Sequence, residues 1–163
     1  MALFKSTQIA AKAPIPTADR AVEIIPIFGD FTVPAGFAAN DVVEMCPLPA
    51  GYVPVDLIVD GASLGATVTG DVGIVTGVYD AALDLVGAAR NCGAEFIAAA
   101  ALGTAGLKRT TATGATRIAP VYDAGNGVQY NRSIGFKATA VTTPTVGAAI
   151  RFTLLCRPAI NGA

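Results

Sequence analysis

Ile150, Phe152, Leu154 and Cys156 alternate with Arg151, Thr153, Leu155 and Arg157. A period of two leaves such a segment one way to bury its apolar side chains, as an extended strand with a single inward face. The same grammar recurs along the chain. Ile134, Phe136 and Ala138 alternate with Gly135, Lys137 and Thr139; Val55, Leu57 and Val59 alternate with Asp56, Ile58 and Asp60; and Val68, Val72 and Ile74 oppose Thr67, Thr69 and Asp71. Weaker strands are expected over Val22 to Phe28, where Pro26 lacks an N–H and suits an edge, over Asn40 to Cys46, and around Thr116 to Val121.

Turn residues separate these runs. Val33-Pro34-Ala35-Gly36 and Leu48-Pro49-Ala50-Gly51 pair a proline with a glycine tolerant of positive φ. Thr142-Thr143-Pro144-Thr145, with Gly147 beyond, is expected to reverse the chain into an antiparallel neighbour. Gly70 and Gly73 sit inside a strand pattern and suit a bulge or close packing. Asp80 to Gly106 is ambiguous: Asp80 is placed to cap a short helix through Leu83, Leu85 and Val86, and Glu95 to Leu102 reads as strand or helix. Several short strands without alternating long helices predict an all-β fold, an antiparallel jelly-roll-like sandwich forming a single domain over residues 21–163. Residues 1–20 read as an extended N-terminal arm, because Pro14 and Pro16 remove backbone donors. The arm is either a frayed terminus or a strap over a neighbouring subunit, with Phe4, Lys5, Ile9, Lys12, Ile15 and Arg20 as its contact residues.

Composition excludes several function classes. The chain has no His, which removes the usual group for proton transfer near neutral pH and a common metal ligand. A net charge of -1 gives no field for nucleic acid, and no apolar run approaches the length that spans a bilayer. Lys12, Pro14 and Pro16 interrupt the only run resembling a secretion signal, so synthesis in a cytoplasm is expected. The three cysteines, Cys46, Cys92 and Cys156, have no metal-site spacing and read as reduced, buried apolar residues. Gly103 to Thr110 lacks the spacing of a phosphate-binding loop, Asp80 and Asp84 lack the oxygen-rich neighbours of a calcium site, and Ser6, Ser63 and Ser133 have no histidine partner. No catalytic residue, metal or cofactor is expected. A hydrophobic content of 53% favours subunit or assembly contacts.

The segment Val43 to Asp60, with its Pro47-Leu48-Pro49-Ala50-Gly51-Tyr52 turn, resembles a stretch recurring in structural proteins of tailed-bacteriophage virions. Val68 to Gly77, with its Asp71-Val72-Gly73-Ile74-Val75-Thr76-Gly77 run, Asn91 to Phe96, Ala101 to Gly106, Arg117-Ile118-Ala119-Pro120 and Asn131 to Lys137 are similar to successive blocks of the same family, in the same order. Val121 to Tyr130 is an insertion, and Asn131 stands where an Asp is usual. The resemblance implies a decoration (cement) protein on the outer surface of the phage head, bound to the major capsid protein and self-associated, as a trimer in preference to a dimer. The alternatives are a carbohydrate-binding or adhesion module with aromatics around residues 122–130, or a histidine-free hydrolase using two of Glu23, Glu44, Asp56, Asp71 and Glu95.

Overall fold

The structure, a computed structural model, describes residues 1–15, 23–109 and 130–158. In chain order these form β1 (Leu3–Lys5), α1 (Thr7–Ala10), β2 (Ile25–Thr32), β3 (Val42–Leu48), β4 (Tyr52–Gly61), β5 (Thr69–Val75), β6 (Ile97–Ala100), β7 (Lys108–Arg109), β8 (Arg132–Ala140) and β9 (Ala149–Pro158). Two sheets face each other, ordered β1-β3-β8-β5-β6 and β2-β9-β4-β7. Counted from β2, the orders are 1-8-3-6 and 2-7-4-5, the jelly-roll arrangement.

Alternation sets the inward faces as expected. Ile150, Phe152, Leu154 and Cys156 of β9 are buried, as are Ile134, Phe136 and Ala138 of β8. Phe136 meets Phe152 across the layers with ring centroids 6.0 Å apart, and Phe31 packs edge-on to Phe136 at 6.0 Å. Pro26 lies on β2, the edge strand of its sheet. In β4 the register shifts between Pro54 and Asp56, so Val55 leaves the inward set: it is exposed while Leu57 and Val59 are buried. Register shifts at Thr69/Gly70 and Gly70/Val72 make the expected bulge in β5.

Three expectations differ from the structure. The turn after Thr142 does not pair β8 with β9, because β8 bonds to β3 and β5 whereas β9 bonds to β2 and β4. Thr145 N–H donates to the Leu64 carbonyl and Gly147 N–H to that of Val33, carrying the chain across the layers. Hairpin pairing would put Phe136 and Phe152 in one sheet rather than opposite each other. Asp80 does not cap a helix; residues 80–96 form turns and isolated bridges, with Asp80 itself at φ +62. Within Glu95 to Leu102 the chain is strand rather than helix, β6 spanning Ile97–Ala100.

The third difference concerns the N-terminal arm. Residues 3–10 are part of the domain, with β1 parallel to β3 in the register Leu3↔Val42, Phe4↔Val43 and Lys5↔Glu44. Phe4 and Ile9 supply the physical reason. The Phe4 ring packs on Phe31 at 6.0 Å and Phe37 at 5.9 Å, and Ile9 is completely buried. Ser6 caps α1 and donates its hydroxyl to the Met45 carbonyl at 2.6 Å. Gln8 then covers the β2 edge, accepting from Asp30 N–H at 2.8 Å and donating to the Asp30 carboxylate at 2.7 Å. The expected strand near Thr116 to Val121 lies outside the described residues.

Candidate interaction surface

The outer face of the five-stranded sheet is not open. Glu44 of β3 points to that face, away from Val43 and Met45, in a strand with every residue buried. The chain between β5 and β6 crosses over it and supplies Arg90, whose side chain, like that of Glu44, has no exposure. Arg90 Nη1 donates to Glu44 Oε1 at 2.8 Å and to the Ala81 carbonyl at 3.0 Å, while Nε donates to the Thr76 carbonyl at 2.6 Å. Glu44 Oε1 also accepts from Asp80 N–H at 3.1 Å and from the Ser133 hydroxyl. One guanidinium thus ties β3 to both limbs of the overlying loop. Val42, Val75 and Cys92 form a small apolar cluster beneath it.

Beyond this clasp the loop projects a finger. Leu83 bridges to Ala89, and Asp84 Oδ1 accepts from Val86 N–H at 3.0 Å and Ala88 N–H at 2.8 Å. Gly87 closes the turn at φ +79, where a side chain is disfavoured. The turn holds Leu83, Leu85 and Val86 outward at 51%, 48% and 86% exposure. An anchored loop that presents three apolar side chains to solvent has the form of a contact surface rather than of a core element. Beside the finger is a cleft of about 460 Å³ bounded by Ile74, Thr76, Leu85, Glu95, Tyr130 and Arg132. Burial lowers the Arg132 pKa, opposed by Tyr130 and Glu95.

The expected contact residues are dispersed. Phe4 and Ile9 are occupied by the chain's own core, and Lys5 pairs with Asp80. Lys12 is exposed and Ile15 partly so, whereas Arg20 lies outside the described residues. A second cleft, of about 230 Å³, runs past Gln8, Pro14, Pro26, Phe28 and Tyr79 on this side.

Of the carboxylates weighed for hydrolysis, four are engaged within the fold. Glu44 serves the clasp, Glu95 Oε2 accepts from Ile74 N–H at 2.8 Å, Asp71 accepts from Ala99 N–H at 2.9 Å, and Asp56 pairs with Arg109. All three cysteines are buried and free. Burial pushes the Cys92 and Cys156 thiols up to about 12 and Cys46 higher still. Most of the 122–130 segment lies outside the described residues.

The sequence signal for the finger is Leu83-Asp84-Leu85-Val86-Gly87, an apolar cluster straddling an acid and ending on a glycine. For the clasp it is Glu44 alone among Val42, Val43, Met45 and Cys46. A carboxylate inside an apolar strand needs a buried partner.

No protein-family model and no curated protein matches the chain. Two solved structures do. A chain from the capsid of Ralstonia phage GP4 superposes with a TM-score of 0.82 at 31% identity, covering 98% of this chain and 100% of that one. A chain from the cyanophage Pam1 capsid asymmetric unit superposes with a TM-score of 0.53 at 15% identity, covering 91% of this chain and 96% of its own, a likeness of fold.

Proposed function

Because the chain belongs to the family of the Ralstonia phage GP4 capsid chain, end to end and at 31% identity, we propose that this phage capsid-related structural protein is a head decoration protein. It binds the outer surface of the shell built by the major capsid protein and reinforces that lattice as a self-associated ring. The observation that carries the reading is the full-length correspondence to a capsid chain together with the clasped apolar finger. A ring that reinforces a shell needs a stiff scaffold and outward apolar contacts between its copies, and the jelly roll supplies the first while Leu83, Leu85 and Val86 supply the second. The helix content favours decoration over shell building. The one helix among the described residues is four residues long, whereas the tailed-phage shell fold is built with a long one. Weak contacts suffice on a symmetric shell, because a ring engages several equivalent sites at once.

The test is addition of purified protein to heads assembled from the shell protein alone. Saturable binding and a higher temperature of head disruption are expected. A folded protein that fails to bind such heads defeats the reading. The strap role is tested with Lys12→Glu and Ile15→Asp rather than by truncation, because removing residues 1–20 also removes β1 and the buried Ile9. Head binding undiminished in both variants excludes these residues from the contact.

A further inference from the structure

The finger and a second exposed patch lie at opposite ends of the sandwich, with opposite chemistry. The finger end, where β5 finishes and β8 begins, carries Leu85, Val86 and the exposed carboxylate of Glu95. The other end, where β4 finishes and β9 begins, carries Leu107 at 62% exposure, followed at once by Lys108 and Arg109. Val146, also 62% exposed, belongs to the connection at that same end. Lys108 and Arg109 form the two-residue β7 edge of the four-stranded sheet. Lys108 Nζ donates to the Thr104 carbonyl at 2.6 Å and Arg109 pairs with Asp56, yet an ammonium has three donors and a guanidinium five.

We propose that copies of this chain join head to tail, the finger of one copy seating on the Leu107-Lys108-Arg109 edge of the next. Neither patch suits itself. Finger against finger sets Glu95 against Glu95, and edge against edge sets Lys108 against Lys108, Arg109 being already paired with Asp56; finger against edge matches apolar to apolar and the Glu95 carboxylate to the Lys108 ammonium. A surface pairing with a different surface on the next copy is heterologous, and it closes into a ring when the rotation permits. The bond-laced base of the finger makes it a preformed anchor, so little ordering entropy is lost on docking. The proposal rests on the ring stated above and assigns its joint.

The experiment uses Val86→Cys, Leu107→Cys and the double variant, substitutions at exposed positions in a chain whose native thiols are all buried. Under mild oxidation the double variant is expected to give a covalent ladder ending at the ring size measured by light scattering. A mixture of the two single variants stops at a dimer containing one of each. Val86→Asp and Lys108→Glu each weaken association by about tenfold or more, and Glu95→Lys recovers part of the Lys108→Glu loss. Self-crosslinking of Val86→Cys alone, as efficient as the mixture, overturns the head-to-tail joint. So does an oligomer in which neither pair crosslinks, which leaves the self-associated ring standing. A protein that is monomeric by light scattering both free and after release from heads overturns joint and ring together.

Discussion

Arg90→Met tests the clasp most directly, since it leaves the Glu44 carboxyl buried with its guanidinium partner gone. Both side chains have no exposure, so solvent screening does not soften the loss. The substitution deletes a charge-assisted bond of 2.8 Å to Glu44 and bonds of 2.6 Å and 3.0 Å to the Thr76 and Ala81 carbonyls. Removing one partner of a buried ion pair costs about 3–5 kcal/mol. At ~2–4 °C per kcal/mol for a domain of this size, Tm falls by roughly 6–20 °C. Desolvation makes the pair itself a poor net stabiliser, so Arg90→Met with Glu44→Leu is expected to recover much of the loss. Chemical denaturation of wild type, both single variants and the double variant gives the coupling free energy. A cost below about 1 kcal/mol for Arg90→Met, or a double variant no better than the worse single one, refutes the reasoning, because a buried unpaired carboxylate cannot be that cheap. The double variant is also expected to bind heads less well than its stability suggests, since its finger is no longer tied at both limbs.

Gly135→Ala should cost about 1–3 kcal/mol or more, because a Cβ there falls 2.1 Å from the Val43 carbonyl oxygen and 2.7 Å from Val75 Cγ2; the urea midpoint measures it. The thiols of Cys46, Cys92 and Cys156, all raised by burial, should stay protonated and unreactive to Ellman's reagent at pH 8, with all three reacting only in denaturant. The carboxyl of Asp30 is lowered by hydrogen bonding to Arg151, against some desolvation, and that of Asp80 by hydrogen bonding to Lys5. A carboxyl lowered on folding adds stability that is fully present above its unfolded value and lost as pH falls through the folded one, so these contributions should fade below about pH 4. Asp30→Asn should flatten the urea midpoint against pH in that acid range and leave the neutral slope unchanged.

Much of the sandwich is legible in residue order because period-two patterning fixes which side chains turn inward. The faces of β8 and β9 follow from Ile134 to Ala138 and from Ile150 to Cys156, and Pro26 marks its edge by lacking a donor. Partner choice is a different kind of information. Thr142 to Gly147 specifies that the chain turns, whereas crossing between layers is fixed by Leu64 and Val33, far away in sequence. β1 escapes notice because three residues carry no period, and its anchors are Phe31 and Phe37 in distant segments. The finger is obscured by competition: Leu83, Leu85 and Val86 have helical or strand character, while the Asp84 carboxylate captures the backbone donors of Val86 and Ala88 and settles a turn. Glu44 and Arg90 stand 46 residues apart, so each signals a need for a partner without naming it.

The two middle strands of the sandwich are made late. β9 lies between β2 and β4, and β8 between β3 and β5, yet both follow all four of those partners along the chain. During synthesis β2 therefore emerges with no ladder to join, and β3, β4 and β5 with only the short β1, β7 and β6 as partners, and their apolar faces are aggregation-prone until residues 132–158 appear. Loop closure over separations as long as that from Ile25 to Cys156 makes folding slow for a chain of this length. Nascent copies on neighbouring ribosomes thus offer one another unsatisfied strands, and rapid completion of the chain protects its yield as much as any contact in the finished molecule.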